Sequence, residues 1–271
     1  MPKLKEKSNE NPKSQVNSAS KVLKLLQFFT TAHNCELSIN ELINLCGWNR
    51  TTIYRFLQTL CESGYVRFIP ETQTYRATFK IVDMASLMLQ NLDVQAPAVP
   101  YMSQLVSKWS LNCNLAVPDA GSIIVIHNVK YDCSSPPVFN GRRGGLYSCG
   151  TGKAIMSTWS PDFIESYLES YPLISYTPRT ITNKMVLIAE LQEIAARGYA
   201  VDRGEYIYSN YCIAAPIFNF NGTAIAAISV YGTEEQLYRN PIDLLSKDVM
   251  DAANQISEKL GYKGKEKTAQ A

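Results

Sequence analysis

Histidine is scarce in this sequence: there are two, His33 and His127, among 271 residues. His33 falls in an N-terminal loop and His127 within a strand pattern, so no catalytic triad assembles around either. Cys35, Cys46, Cys61, Cys113, Cys133, Cys149 and Cys212 are scattered, with no Cys-x-x-Cys pair among them. An odd, dispersed set excludes a disulfide framework and a thiol metal site and fits reduced thiols in a cytosolic protein. No apolar run approaches the roughly 18–20 residues that span a bilayer. The start, Met1 to Gln15, lacks the apolar stretch of a secretory signal. The expectations are a cytoplasmic protein that is not an enzyme, with no metal, no cofactor and no membrane contact.

What is present is a well-filled globular chain. Hydrophobic residues make up 46% of it, enough to build a substantial core, and the net charge is only +2. The charge is unevenly spread. Residues 1–92 carry 11 Lys+Arg against 7 Asp+Glu, and the remainder 15 against 17, giving +4 and −2. A basic front on a mildly acidic body fits a nucleic-acid module joined to something else, although four of the eleven cations lie in residues 1–13.

Residues 1–18 are polar and read as a disordered arm. Val22, Leu25, Leu26 and Phe29 then form one helical stripe. Ser38-Ile39-Asn40-Glu41 is a capping box opening a short helix that ends near Cys46, before Gly47. Asn49 caps a third helix, roughly residues 50–63, stopped by Gly64. Its apolar stripe is Ile53, Phe56, Leu57 and Leu60, and its opposite face is Thr51, Tyr54, Arg55 and Gln58. Tyr65–Phe68 and Thr74–Thr78, around a turn-like connection, predict a hairpin. Three helices followed by a hairpin is the order of a winged helix-turn-helix, expected over residues 19–78. A helix over about 79–92, with Ile81, Ala85, Met88 and Leu92 on one side, reads as a linker that reaches residue 96, with Pro97 and Pro100 marking the boundary. Residues 97–262 read as a second domain, with helix over 101–110, strands at Asn112–Val117 and Ser122–Val129, and a loop from Lys130 to Gly145. Helices follow near 150–159, 161–170 and 184–197, then a hairpin from Cys212 to Tyr231 and a last helix over about 241–260. Paired strands with helices between them imply an antiparallel sheet with helices packed on it, an α+β domain. Residues 263–271 read as a disordered tail.

A helix that reads DNA needs an apolar back for docking and a polar front with forked and short side chains. Arg50 and Arg55 can bind guanine edges or phosphates, Thr51 and Thr52 can reach phosphates or thymine methyls, and Tyr54 offers a hydroxyl and a ring. Arg67 and Arg76, on the wing, could touch the backbone or minor groove. In the second domain, Ser148-Cys149-Gly150-Thr151-Gly152 precedes an amphipathic helix. Its free amides could hold a carboxylate or phosphate, with the glycines allowing close approach, or it could be an ordinary glycine-rich cap. It is not a Walker loop, because Tyr147 stands where the first glycine would be and Ala154 follows Lys153. Arg142 and Arg143 either pair with an acidic effector or sit in solvent.

The run from Leu45 to Leu60 (LCGWNRTTIYRFLQTL), with Gly64-Tyr65-Val66 and Tyr75-Arg76, resembles the IclR family of bacterial transcription regulators. So do Leu146 to Ala154 (LYSCGTGKA), Arg197 to Asp202 (RGYAVD), Cys212 to Ile217 (CIAAPI) and Ala226 to Val230 (AAISV). The resemblance extends from about Ser20 to Tyr262. It implies a winged helix-turn-helix, a linker helix and a ligand-binding domain with a GAF- or PAS-like antiparallel sheet. It also implies palindromic operators in double-stranded DNA, a small acidic metabolite as effector, and homodimers or homotetramers. By the same resemblance the effector's carboxylate is held by the backbone at Gly150 and Thr151, and Asp202, Cys212, Ser229 and Tyr231 complete the pocket. Asp202 would bond ligand hydroxyls. Tyr231 departs from the small Ser frequent there and would shrink the cavity or add a hydroxyl contact. Gly141-Arg142-Arg143, Leu146-Tyr147-Ser148 and Arg179-Thr180-Ile181-Thr182 look closest to regulators of hexuronate, ketodeoxygluconate and other sugar-acid catabolism. The resulting expectation is a sequence-specific regulator, a repressor, controlled by a sugar acid or keto acid. An activator responding to an aromatic or other acid, and a metabolite sensor acting through protein partners, are the alternatives.

Overall fold

The first helix, α1 (Asn17–Thr31), buries Leu25 and Phe29 completely, with Val22 and Leu26 partly covered beside them. The computed structural model describes residues 17–31, 36–131 and 138–264. Residues 1–16 of the expected arm, His33, Cys35, Cys133, Pro136, Pro137 and the tail from residue 265 lie outside the described residues. The chain forms two units, Met1–Asn91 and Leu92–Ala271.

In the first unit, β1 (Glu36–Ser38) leads directly into α2 (Ile39–Cys46). Ser38 Oγ accepts from the Glu41 amide and the Glu41 carboxylate accepts from the Ser38 amide, closing the capping box. Gly47 ends the helix at φ 68°, a left-handed geometry that costs glycine no steric clash. α3 (Arg50–Glu62) starts where Asn49 Oδ1 accepts from the Thr52 amide at 2.8 Å, a cap that stabilises by about 1 kcal/mol. Ile53, Leu57 and Leu60 are buried from α3, each burial stabilising by roughly 1.5–3 kcal/mol. β2 (Val66–Ile69) and β3 (Thr74–Ala77) form the hairpin. β1 adds a third antiparallel strand, in the order β1-β3-β2. Sequence patterning does not show β1, because three residues are too few to display a period. α4 (Lys80–Gln90) follows, held at its start by Lys80 Nζ donating to Ser63 O at 2.7 Å, and it buries no residue.

The expected proline boundary lies elsewhere in the structure. α4 ends at Asn91, and α5 (Gln95–Trp109) begins ahead of both prolines. Pro97 occupies the first turn of α5, where an N–H would have no intrahelical partner. Pro100 lies inside the helix and removes one further hydrogen bond, which the helix tolerates with Ala98, Met102, Leu105 and Val106 buried.

The second unit is built on one antiparallel six-stranded sheet: β4 (Asn112–Asp119), β5 (Ser122–Val129), β6 (Arg143–Gly145), β7 (Ala200–Arg203), β8 (Tyr211–Phe218) and β9 (Ala224–Gly232), in the order β6-β5-β4-β9-β8-β7. A 3-10 turn at Leu146–Ser148 leads into α6 (Gly150–Met156), followed by α7 (Pro161–Ser170), α8 (Lys184–Arg197), α9 (Glu234–Tyr238) and α10 (Ile242–Lys259). Strand alternation divides β8 between two faces. Cys212 and Ala214 face α6, where a side chain on Gly150 would meet the Cys212 thiol at 2.5 Å. Ile213, Ala215 and Ile217 point the other way, onto the side taken by α10. Both faces are therefore covered, and the sheet carries long apolar runs. The α6 face brings two rows of residues into register across the strands. Asp202, Cys212, Tyr231 and Asn112 form one, and Ala200, Ala214, Ser229, Asn114 and Asn128 the other.

Candidate nucleic-acid interface and ligand cavity

The exposed face of α3 carries Arg50, Thr51, Tyr54, Arg55 and Gln58, with Thr52 half-buried at the N-terminal end. No acidic side chain lies in its first turn and Arg50 opens it, so the helix start presents positive charge. That arrangement is unfavourable for an isolated helix dipole and favourable for a phosphate. A groove of about 570 Å³ runs between this face and the hairpin, lined by Ser38, Arg50, Tyr54, Gln58, Phe68 and Gln73 among others.

The two wing arginines are placed differently. In register, Glu36, Arg76 and Arg67 stand side by side across β1, β3 and β2. Arg76 ion-pairs with Glu36, which offsets the repulsion of two arginines on neighbouring strands. Arg67 is exposed. Strand alternation places both arginines on the face opposite Phe68 and Tyr75, and therefore away from the groove.

In the second unit a cavity of about 50 Å³ lies between the sheet and the start of α6. Gly150, Thr151, Asp202, Cys212 and Ser229 all line it. Tyr231 does not. It is buried one register row from Ser229, and its hydroxyl donates to Asn128 Oδ1 at 2.9 Å, so its contact is with protein. The glycines serve packing. A Cβ on Gly152 would stand 2.2 Å from Leu146 O, and one on Gly150 would strike Cys212, so both let α6 sit tightly on its neighbours. Close approach by a ligand, the sequence-based reason for them, is not the constraint the structure displays. The N-cap of α6, Cys149, makes no side-chain capping bond.

Asp202 is buried. Its Oδ1 accepts from the amides of Gly204 at 3.0 Å and Glu205 at 2.8 Å, fixing the turn after β7. Burial, then the nearby Glu205 charge, pushes its carboxyl up to about 7. Beneath it lies Lys153, fully buried, donating to Glu205 Oε1 at 2.5 Å and Val201 O at 2.9 Å, with Glu190 3.6 Å away. Desolvation raises the Glu205 carboxyl and Lys153 opposes that shift. Burial also raises the Cys149 thiol to about 12 and the Cys212 thiol well above its usual value, so both are neutral walls. Thr177 Oγ1 donates to Gly204 O at 2.7 Å and Thr180 Oγ1 to Glu205 O at 2.6 Å, so the segment before α8 buttresses the same turn.

Arg142 lines the cavity, its guanidinium 5.7 Å from the Phe139 ring and 5.9 Å from the Tyr206 ring. Arg143 pairs with Asp119. Asn114, Asn210 and Tyr206, which pattern reading passes over, also line the cavity, and Lys153 anchors it from below. One signal was available in advance: Asn114 is a polar residue among the buried positions of β4, as is Asn112. His127 is hydrogen-bonded to Gln95, Nδ1 to Nε2, at 3.3 Å. Among the described residues no three His, Cys, Asp or Glu side chains converge as a metal site, and no helix is long and apolar enough to cross a membrane.

A capped helix with a cationic front and a hairpin wing define a DNA-binding regulator, and its separate second unit carries a cavity with polar side chains on its wall. Residues 18–70 match the IclR helix-turn-helix domain family, and residues 86–258 match the family described as bacterial transcriptional regulator IclR C-terminal. This chain belongs to the IclR family of DNA-binding transcriptional regulators. It is 29% identical over 263 residues to the HTH-type transcriptional regulator KdgR of Escherichia coli, covering 94% of this chain and 98% of that one. The crystal structure of the Thermotoga maritima IclR superposes with a TM-score of 0.78 at 28% identity, covering 92% and 100% of the two chains. An IclR homologue from Microbacterium hydrocarbonoxydans, complexed with 4-hydroxybenzoate, shares the fold at a TM-score of 0.76 and 19% identity, over 90% of this chain and 98% of that one.

Proposed function

We propose that this regulator is a repressor released from a palindromic operator by a small organic acid, a sugar acid or keto acid of a catabolic pathway. The observation that carries the reading is the cavity itself. It sets Asp202, Ser229 and Arg142 around one buried space, in a unit separate from the DNA-reading helix. The effector's carboxylate lies at the backbone of Gly150 and Thr151, beside the charge of Arg142. Cys212 is an apolar wall, and Asp202 accepts from ligand hydroxyls. Arg50, Thr51, Thr52, Tyr54 and Arg55 read the operator, while exposed Arg67 contributes positive potential from the wing and Arg76 is held beside it by Glu36. Two copies are needed to present two α3 helices to successive major grooves. The exposed apolar residues of α4, Val82, Met84, Leu87 and Met88, support pairing through this helix into dimers, and from dimers into tetramers.

A ligand shifts such an equilibrium only through its different affinity for the two states. The test is a gel-shift titration on the chain's own promoter region with and without a panel of sugar acids and keto acids. Loss of the complex at rising acid concentration supports the reading. Operator affinity unchanged by every acid that binds removes it. A steep fall of affinity with salt supports phosphate contacts, and a shallow one favours a sensor acting through protein partners.

A further inference from the structure

Three polar atoms on the cavity wall have no hydrogen-bond partner within the protein: Asn114 Oδ1, Asn210 Oδ1 and Ser229 Oγ. These residues are 8%, 8% and 0% exposed. They reach the cavity from separate elements. Asn114 is on β4, Ser229 lies directly opposite it on β9, and Asn210 immediately precedes β8. A neighbouring amide shows the contrast. Asn128 donates to Val138 O and accepts from Tyr231, so both of its ends are used. Buried polar groups in native proteins are nearly always satisfied, and three orphans facing one space mark where a ligand's polar atoms belong.

Their chemistry is directional. An amide oxygen only accepts, and a serine hydroxyl does either. The wall therefore calls for hydrogen-bond donors, and on an organic acid these are hydroxyl groups. Arg142 supplies positive charge on the same lining. The small volume suits a short skeleton. An aromatic or alkanoic acid would answer the cation and leave all three atoms buried and unpaired, the situation in which sites discriminate most strongly.

Resting on the reading of this cavity as the effector site, we propose that Asn114 and Asn210 are specificity-determining residues that read the hydroxyl groups of a short polyhydroxylated carboxylate. Ser229 completes the set between them.

Calorimetric titration of the full chain tests this with matched pairs: glycerate against propionate, threonate against butyrate, and benzoate as the aromatic control. Each hydroxylated acid is expected to bind about 100-fold or more tighter than its deoxy partner. Asn114→Ala and Asn210→Ala should each weaken the hydroxylated acids about 10- to 100-fold and leave propionate unchanged. The wild-type comparison stands even where a variant fails to fold. Equal binding within the pairs, or tightest binding of benzoate, overturns this proposal while the acid-sensing reading survives. Failure of every acid in the panel to bind overturns both.

Discussion

Replacing Asp202 by asparagine tests whether a buried carboxyl makes the second unit sensitive to pH. The amide keeps an oxygen to accept from Gly204 and Glu205 and removes the ionisation. In the wild type the folded-state carboxyl is raised from 3.8 to about 7. The fold thus binds a proton that the unfolded chain has released, between about pH 4 and 7, and stability falls as pH rises through that window and levels off above it. At 1.36 kcal/mol per unit, the group costs about 4 kcal/mol at pH 8 and somewhat under 2 at pH 5, a difference of about 2–3 kcal/mol. The charged and titratable groups around it are Glu205 on its own turn, Lys153 and Cys149 from α6 and its cap, and Cys212 from β8. Behind Lys153 stands Glu190 of α8, while Tyr206 and Arg142 line the same cavity. Urea unfolding at pH 5, 6, 7 and 8 reads the effect through Trp159, which packs on Phe163 and Tyr167 inside the second unit. The variant should lose markedly less stability than the wild type across that range. Parallel pH profiles for the two proteins would refute the assignment of the raised carboxyl to Asp202. The same variant should impair the response to effector and leave operator binding intact.

Three further outcomes are expected. Arg50→Ala or Arg55→Ala should weaken operator binding by about 1–3 kcal/mol if the arginine reads a base; equal weakening on all DNA sequences in a gel shift makes it a phosphate contact. Lys153→Met leaves Glu205 and Glu190 without the buried cation they share and should destabilise the second unit by about 3–5 kcal/mol in thermal unfolding, whereas a change below 1 kcal/mol would contradict the pairing. Gly152→Ala sets a methyl group against the Leu146 carbonyl; it should lower the unfolding temperature sharply, and a wild-type melting curve would show that α6 can move off the turn.

The local devices of the first unit were legible in the residues. The Ser38–Glu41 box, the Asn49 cap, the left-handed Gly47 and the α3 stripe depend on residues three or four apart, whose backbone preferences and side-chain reach decide the outcome without distant help. So were β4, β5, β8, β9 and the longer helices of the second unit and, through its family motifs, five of the six expected cavity residues; β6, in the expected loop, β7 and α9 were not, being too short to show a period. Contacts between distant residues were not legible. Nothing near Arg76 in sequence announces Glu36, forty residues earlier, as its partner. The prolines of α5 read as breakers, because no local rule says that apolar burial will outweigh one lost hydrogen bond. Tyr231 had a pocket role by resemblance, and only the cross-strand register sends its hydroxyl to Asn128. Nothing near Lys153 in sequence announces its burial against Glu205, fifty-two residues away. The sequence by itself determined α2, α3, their caps and the polar, cationic face of α3, because these are short-range properties. Which polar atoms share one cavity, and which have no partner there, was decided only when strand order and register brought β4, β7, β8 and β9 together.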